Sequence, residues 1–238
     1  MNIIFVVSTL IIFLSFLGES IFGFGGGLIS IPLLSLLIDV KDDVNVVLIF
    51  QFLMGLLIIK SYKDISWKIA LSMTIGLIVG TLLGLYMLTI IPPQLLRKIL
   101  AISIFIFLIK MVFLKGLVFG KDKKWGLITG IIGGWFQGII GTGGPIFTMY
   151  LTVVLQDKIS FRATLIYLFF LTSVIRLLFS IPSGLISNNV FNLTVPIIPF
   201  FLIAIYIGNH VHKKIDEKYY KYAVELILLF AAISLLIK

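Results

Sequence analysis

Residues 18–34 read GESIFGFGGGLISIPLL and place four glycines among the five residues 23–27, inside an apolar run. Glycine tolerates positive φ and lets another backbone approach closely. In a soluble protein such a cluster suggests a phosphate-binding loop, but this one follows no strand and lacks the G-x-x-x-x-G-K-[ST] signature. The sequence around the cluster therefore decides how the cluster is interpreted.

The composition is that of a polytopic membrane protein. Of the 238 residues, 60% are hydrophobic and 12% are charged, whereas a soluble domain has about 25% charged residues. Most of the chain lies in apolar runs, and a helix of roughly 20 residues crosses a bilayer. The absence of cysteine excludes disulfides, thiolate metal sites and cysteine nucleophiles. We expect one all-α membrane domain covering residues 1–238.

Ten hydrophobic segments follow one another along the chain. They are 2–22, 26–38, 44–60, 67–90, 94–114, 124–140, 144–156, 160–181, 190–209 and 219–237. The second and the seventh are short, because about a dozen residues at 1.5 Å each reach only about 20 Å, less than the ~30 Å hydrocarbon core. We therefore predict about 8–10 transmembrane or re-entrant helices.

The basic residues predict the orientation in the membrane. When the loops are assigned to alternating sides, 14 of the 19 lysines and arginines fall on one side, which is then the cytoplasmic side. Both termini are predicted to lie outside, in a protein of the cell (plasma or inner) membrane. The net charge of +9 is explained by this bias, so we expect the lipid bilayer and not nucleic acid as partner.

The glycine cluster has a second copy. GFGGG at 23–27 aligns with GTGGP at 141–145, 118 residues later, and the same offset aligns Glu19 with Gln137 and Asp39 with Asp157. Phe52 then falls on Phe170. Near the end of each copy the offset becomes 124 and Gly84 falls on Gly208.

The chain therefore contains two repeats, at about 1–115 and 124–238, joined by a linker at about 115–124. Each repeat has five segments, an odd number, so the second copy enters the membrane upside down. Inverted repeats with interrupted helices at matching positions are a recurring design of secondary transporters. We expect each glycine cluster to break a helix.

A helix that starts inside a membrane presents free N–H groups and the positive end of its dipole, which attract anions. This predicts a small-anion site at the two breaks, near the membrane midplane. Its candidate substrate-binding residues are Gly23, Phe24, Gly25, Gly26, Gly27, Gly141, Thr142, Gly143, Gly144, Pro145, Gln51 and Gln137. The alternative is that the glycines allow close helix packing.

A few polar residues lie at membrane depth, where such residues are costly and often functional. Glu19 is a candidate proton-coupling carboxylate or a cap for nearby N–H groups. Arg176 either snorkels to the surface or attracts anions, and Gln51 serves a substrate or a neighbouring helix. His210 and His212 form a weak H-x-H pattern, typical of a solvated loop, so we expect no metal and no cofactor.

At GFGGGLISIPLL, at GTGGP and at the following DKISFRATL, the chain resembles the sulfite exporter TauE/SafE family over nearly its whole length. The resemblance implies a multi-pass transporter of small anions or organic acids, such as sulfite, sulfoacetate or related sulfonates. The second copy departs from the first, with Pro145 in place of Gly27 and Tyr150 in place of Pro32.

The sequence thus favours a secondary transporter of a small anion over an anion channel or a non-transporting accessory subunit, both of which remain open. An intramembrane enzyme would need paired carboxylates, a histidine cluster or a Ser/Lys dyad at depth, and the sequence has none of these patterns. The substrate, the direction, the coupling ion and the formation of a homodimer are not specified by the pattern.

Overall fold

The computed structural model describes residues 3–57, 59–113 and 123–211, and within these ranges it contains helices and no strand. The α-helices are α1 Ile3–Phe22, α2 Gly26–Leu34, α3 Val40–Leu57, α4 Trp67–Ile90, α5 Pro93–Phe113, α6 Lys123–Ile140, α7 Gly144–Val154, α8 Lys158–Ser180 and α9 Asn188–Val211. The all-α prediction is therefore confirmed.

Each of the first nine predicted segments overlaps one of these helices, with ends that differ by up to four residues. A 3-10 helix, Ile59–Asp64, was not predicted. Four of the described helices, α1, α4, α8 and α9, are long and apolar enough to cross a membrane by length and composition. The tenth segment, most of the linker and His212 lie outside the described residues.

Two aspartates that the repeat alignment pairs both cap a following helix. Asp39 Oδ1 accepts a hydrogen bond from the N–H of Lys41 at 2.8 Å, at the start of α3. Asp157 is the N-cap of α8 and accepts from the N–H of Ser160, also at 2.8 Å. The hydrogen bonds from the backbone and the hydroxyl of Ser160 hold the pKa of Asp157 below its usual range. An aspartate at this position satisfies a donor that the helix itself leaves free.

The helices belong to two compact units. The first unit contains α1, α2, α5, α9 and the first two turns of α3. The second contains the rest of α3, the 3-10 helix, α4, α6, α7 and α8. Each unit thus combines helices from both predicted repeats.

In the second unit, α4 and α6 meet backbone to backbone. Glycines recur every four residues on both helices, and a Cβ added to any of them would lie within 3.0 Å of backbone atoms of the facing helix. These glycines are Gly76, Gly80, Gly84, Gly130, Gly134 and Gly138. Small residues at this spacing let helices approach closely in a bilayer, where dispersion contacts drive association.

In the first unit, α1 and α9 meet mainly through side chains. Phe16 and Phe201 pack edge to face with ring centroids 5.2 Å apart, and Ser20 Oγ donates to the carbonyl of Ile205 at 3.2 Å. Gly208 is the close-packed glycine of this pair, facing Ser20. The α1–α9 pair therefore depends on fitted side chains, in contrast to the glycine contact of α4 with α6.

Candidate functional site

The first glycine cluster lies where one helix ends and the next begins. α1 ends at Phe22, and α2 begins at Gly26. Gly23 has a φ of 85° and donates its N–H to the carbonyl of Glu19 at 2.7 Å, while Gly25 has a φ of 117°. These left-handed conformations strain any residue with a Cβ, so the turn between the two helices requires glycine.

The side chain of Glu19 reaches the start of α2. Its carboxylate is 1% exposed and faces the N–H groups of Gly26 and Gly27, the first two residues of α2. A Cβ at Gly26 would collide with Glu19 Oε2, and this oxygen has no hydrogen-bond partner among the described residues. A carboxylate here interacts favourably with the positive end of the α2 dipole, as the capping interpretation of Glu19 expects.

The second cluster repeats the backbone of the first. α6 ends at Ile140 and α7 begins at Gly144. Gly141, the counterpart of Gly23, has a φ of 69° and donates to the carbonyl of Gln137 at 3.1 Å. Pro145 lies in the first turn of α7, where its missing N–H costs no helical hydrogen bond.

Gln137 holds the start of this second break. Its Oε1 accepts from the N–H of Gly143 at 2.6 Å, and its Nε2 donates to Gln51 Oε1 at 2.8 Å. Both glutamine side chains are buried. The structure therefore brings three of the candidate site residues, Gln51, Gln137 and Gly143, into one hydrogen-bonded chain. In this chain Gln51, on α3, bonds to a side chain of the neighbouring helix α6.

The two breaks share one geometry but differ in charge. The residue four positions before the first glycine binds that glycine with its carbonyl, and it directs its side chain to the next helix start. That side chain is a carboxylate in Glu19 and an amide in Gln137. The first break therefore contains an ionisable group that belongs to the chain, and the second does not.

The remaining candidates in the clusters lie beside these residues. Phe24 is half-buried between α1 and α2, and Gly27 is buried in the first turn of α2. Thr142 is 7% exposed, and Gly144 lies against the ring of Phe169. The first cluster belongs to the first unit and the second cluster to the second.

The snorkelling interpretation of Arg176 is wrong. The side chain is 0% exposed and is the largest of the fully buried side chains of the described residues. It lies in α8, in the second unit, on the face that packs against protein and not on the lipid face. Its position five residues from the end of the predicted segment 160–181 suggested snorkelling, but the sequence does not reveal which face of α8 is covered.

A further buried carboxylate was not predicted. Asp43, in the first turn of α3, is fully buried, and neither of its oxygens has a hydrogen-bond partner among the described residues. In the sequence it follows Lys41 and Asp42 and so has the appearance of a solvated helix start. Asp39 was the one sequence signal available, because a capping aspartate at 39 places the start of α3 at Val40 and so places position 43 inside the helix.

The comparisons with known proteins agree with the resemblance described from the motifs. The chain matches the family described as Sulfite exporter TauE/SafE over residues 8–235, a range that includes both glycine clusters. A search of curated proteins and a search of solved structures found no match. Because the family match covers nearly the whole chain, this protein belongs to the sulfite exporter TauE/SafE family.

Proposed function

We propose that the protein is a secondary transporter that moves a small anion across the cell membrane. The substrate is sulfur-containing, such as sulfite or a sulfonate like sulfoacetate, or it is a small organic acid. Membership of a family of sulfite exporters supports the transport class, and four apolar helices long enough to cross a bilayer support the location. The sequence has no nucleotide-binding motif, so a gradient of an ion or of the substrate supplies the energy.

The inverted repeat is supported by matching contacts between helices. Gly84 of α4 packs against Gly138 of α6, and Gly208 of α9 packs against Ser20 of α1. The offset of 124 relates Gly84 to Gly208, and the offset of 118 relates Ser20 to Gly138. Each offset thus relates one residue of the first contact to one residue of the second contact. This agreement is expected if the two halves share one fold.

A second contact supports a two-fold relation between the repeats. Phe52 and Phe170 occupy equivalent positions in the alignment, and their rings stack with centroids 5.7 Å apart and an angle of 20° between their planes. Residues that a two-fold axis exchanges touch one another when they lie beside that axis. Inverted repeats of transporters are related by such a pseudo-two-fold axis.

The substrate-binding groups in this proposal are the starts of α2 and α7. The matched geometry of the two breaks supports a binding role, because each break leaves N–H donors at the start of a short helix in buried surroundings. Donors of this kind, together with the helix dipole, favour anions. Gln51 and Gln137 hold the second start in place, and Thr142 adds a hydroxyl group.

Coupling to protons is the proposed role of Glu19. Its carboxylate lies at the start of α2, so an anion that binds there favours the protonated, neutral form of Glu19. The buried guanidinium of Arg176 is proposed to attract the anion, because a cation in a buried setting is screened little by salt.

The transport proposal is tested with the purified full chain in proteoliposomes. Sulfite, thiosulfate, sulfoacetate and acetate are each loaded inside, and uptake of the same labelled anion from outside is measured without a net gradient. Counterflow is expected for a transporter. Flux without counterflow would identify a channel, and the absence of flux for every anion under every gradient would leave the accessory subunit as the interpretation.

Two glycine variants show whether the flux depends on the helix breaks. Gly25→Leu places a side chain at a φ of 117° and is expected to abolish flux. Gly184 also has a positive φ, 64°, but has no atom within 4 Å of an added Cβ, so Gly184→Ala is the control and should retain flux. Equal flux from both variants would argue against binding at the breaks.

The proposal also covers location and assembly: the protein lies in the cell membrane with both termini outside, and it forms a homodimer. The lysine and arginine bias supports the orientation. Labelling of single cysteines from either side of intact cells tests it, since the natural chain has no cysteine. Mass measurement of the detergent-solubilised protein by light scattering tests whether two copies assemble.

A further inference from the structure

Position 19 differs from its counterpart at position 137 by one chemical group. Glutamate and glutamine have nearly the same size and shape, and here both side chains accept from backbone N–H groups next to a glycine break. Glu19 carries a carboxyl group at the N–H groups of Gly26 and Gly27, and Gln137 carries a neutral amide at the N–H of Gly143. The difference in charge at these aligned positions points to a difference in how the breaks treat anions.

The start of α2 is a binding site that the chain itself fills. The first backbone hydrogen bond of this helix runs from Ile29 to Gly25 at 2.8 Å, so the N–H groups that precede Ile29 have no acceptor within the helix. The carboxylate of Glu19 is 99% buried and directed at the first two of them. The carboxyl group accepts from Gly26 and Gly27, but its Oε2 has no hydrogen-bond partner among the described residues, so the helix start leaves one buried oxygen of Glu19 unsatisfied.

We propose that Glu19 is a tethered anion that occupies the start of α2, and that an external anion binds there when the carboxylate leaves or is replaced by a neutral group. This inference rests on the proposed function and defines the order of events at the first break. Glu19 competes with the substrate, so the residue four positions before each break determines how strongly that break attracts an anion. Carboxylates and small oxyanions are the ligand class, because the tethered group is itself a carboxylate.

A purely structural cap predicts a different outcome. If Glu19 only stabilises the turn, its replacement by glutamine weakens the fold and improves the binding of no ligand. If Glu19 is a competitor, the same replacement frees the N–H groups of α2 and makes binding tighter. The direction of the change in affinity separates the two roles.

The first experiment measures sulfite binding by calorimetry on the full chain in lipid nanodiscs. Glu19→Gln is expected to bind sulfite about tenfold more tightly than the natural protein, a size typical of a charge at a partly buried helix terminus. Asp43→Asn is the control, because it also removes a buried carboxylate from the first unit but one that belongs to the first turn of α3, and its affinity should be unchanged. Equal or weaker binding by Glu19→Gln would overturn the proposal.

The second experiment does not depend on transport. Glu19→Ala leaves space at the start of α2, and free acetate has the same carboxylate as the lost side chain. Acetate is expected to raise the melting temperature of Glu19→Ala more than that of the natural protein, whereas acetamide, which is neutral, should not. Equal effects of acetate on both proteins would overturn the proposal.

The reciprocal exchange provides a third measurement. Gln137→Glu adds a tethered carboxylate to the second break and is expected to weaken sulfite binding about tenfold. Gln94 is exposed at the start of α5, so Gln94→Glu is the matched control for an added charge.

The two proposals fail in different ways. If the protein moves no anion but acetate still stabilises its Glu19→Ala variant, the transport proposal is refuted and the tethered anion is supported.

Discussion

The contact between α4 and α6 leads to a quantitative prediction for Gly80→Ala. A Cβ at position 80 would collide with the carbonyl oxygen of Ile131, and it would lie 2.8 Å from the N of Trp135 and 2.9 Å from the C of Ile131. Ordinary van der Waals contact begins at 3.4 Å. The two helices must therefore separate locally by at least about 0.6 Å, because backbone atoms on α6 have no rotamer to change.

The expected cost follows from this separation. A gap of roughly 0.5–1 Å removes a quarter to a half of each dispersion contact. Overpacking a tight interface costs about 1–3 kcal/mol, and we expect about 2–3 kcal/mol here because the clashing atoms are backbone and cannot change rotamer. Alanine returns about 1 kcal/mol through its higher helix propensity. The net loss is about 1–2 kcal/mol, which for a chain of this size lowers the melting temperature by roughly 2–8 °C.

Thermal unfolding followed by tryptophan fluorescence tests this prediction. The Nε1–H of Trp135 donates to the sulfur of Met87 on α4 at 3.1 Å, so the emission of Trp135 reports the distance between the two helices. Val79→Ala is the control, because Val79 lies on the same helix and is 47% exposed. A melting temperature for Gly80→Ala at or above that of the natural protein would refute backbone contact between α4 and α6.

Three further variants test the breaks and the helix caps. Gln51→Leu leaves Gln137 Nε2 buried without its acceptor and should cost about 1–3 kcal/mol in chemical unfolding. Gly141→Ala, at a φ of 69°, should lose about 1–2 kcal/mol of stability to strain, and an unchanged melting temperature would contradict this. Asp157→Ala removes the cap at Ser160 and should lower the melting temperature at neutral pH. Since the pKa of Asp157 is lowered in the folded protein, the cap stabilises above pH about 4, and the difference from Asp157→Ala should vanish as pH falls below that value.

The helices were predictable because each apolar segment ends at a residue with a clear local preference. Glycine clusters, the prolines at 92–93 and the aspartates at 39 and 157 set the boundaries, and these preferences act over a few residues. The glycines of α4 and α6 were visible as well, but their spacing alone did not identify the partner helix. Which faces meet is decided by tertiary packing, which the sequence pattern does not encode.

The pairing of Glu19 with Gln137 was predictable from the sequence, and the contacts of these two side chains were not. The repeat alignment placed Glu19 and Gln137 at matching positions, yet only the structure shows that both side chains fold back onto the next helix start. Arg176 was interpreted wrongly and Asp43 was not predicted, and the two have a common reason. Each lies near a helix end, where a charged side chain usually reaches water, and here protein covers it.

The direct backbone contact of α4 with α6 also limits where the second unit is able to bend. Two helices whose backbones touch at six glycines cannot slide past one another without a steric clash. The α4–α6 pair is therefore expected to move as one rigid body. Conformational changes within this unit must then occur in the elements that pack beside the α4–α6 pair. We expect them in the segment between α6 and α7. Amide hydrogen exchange should accordingly be slower at residues 76–84 than at Gly141 and Thr142.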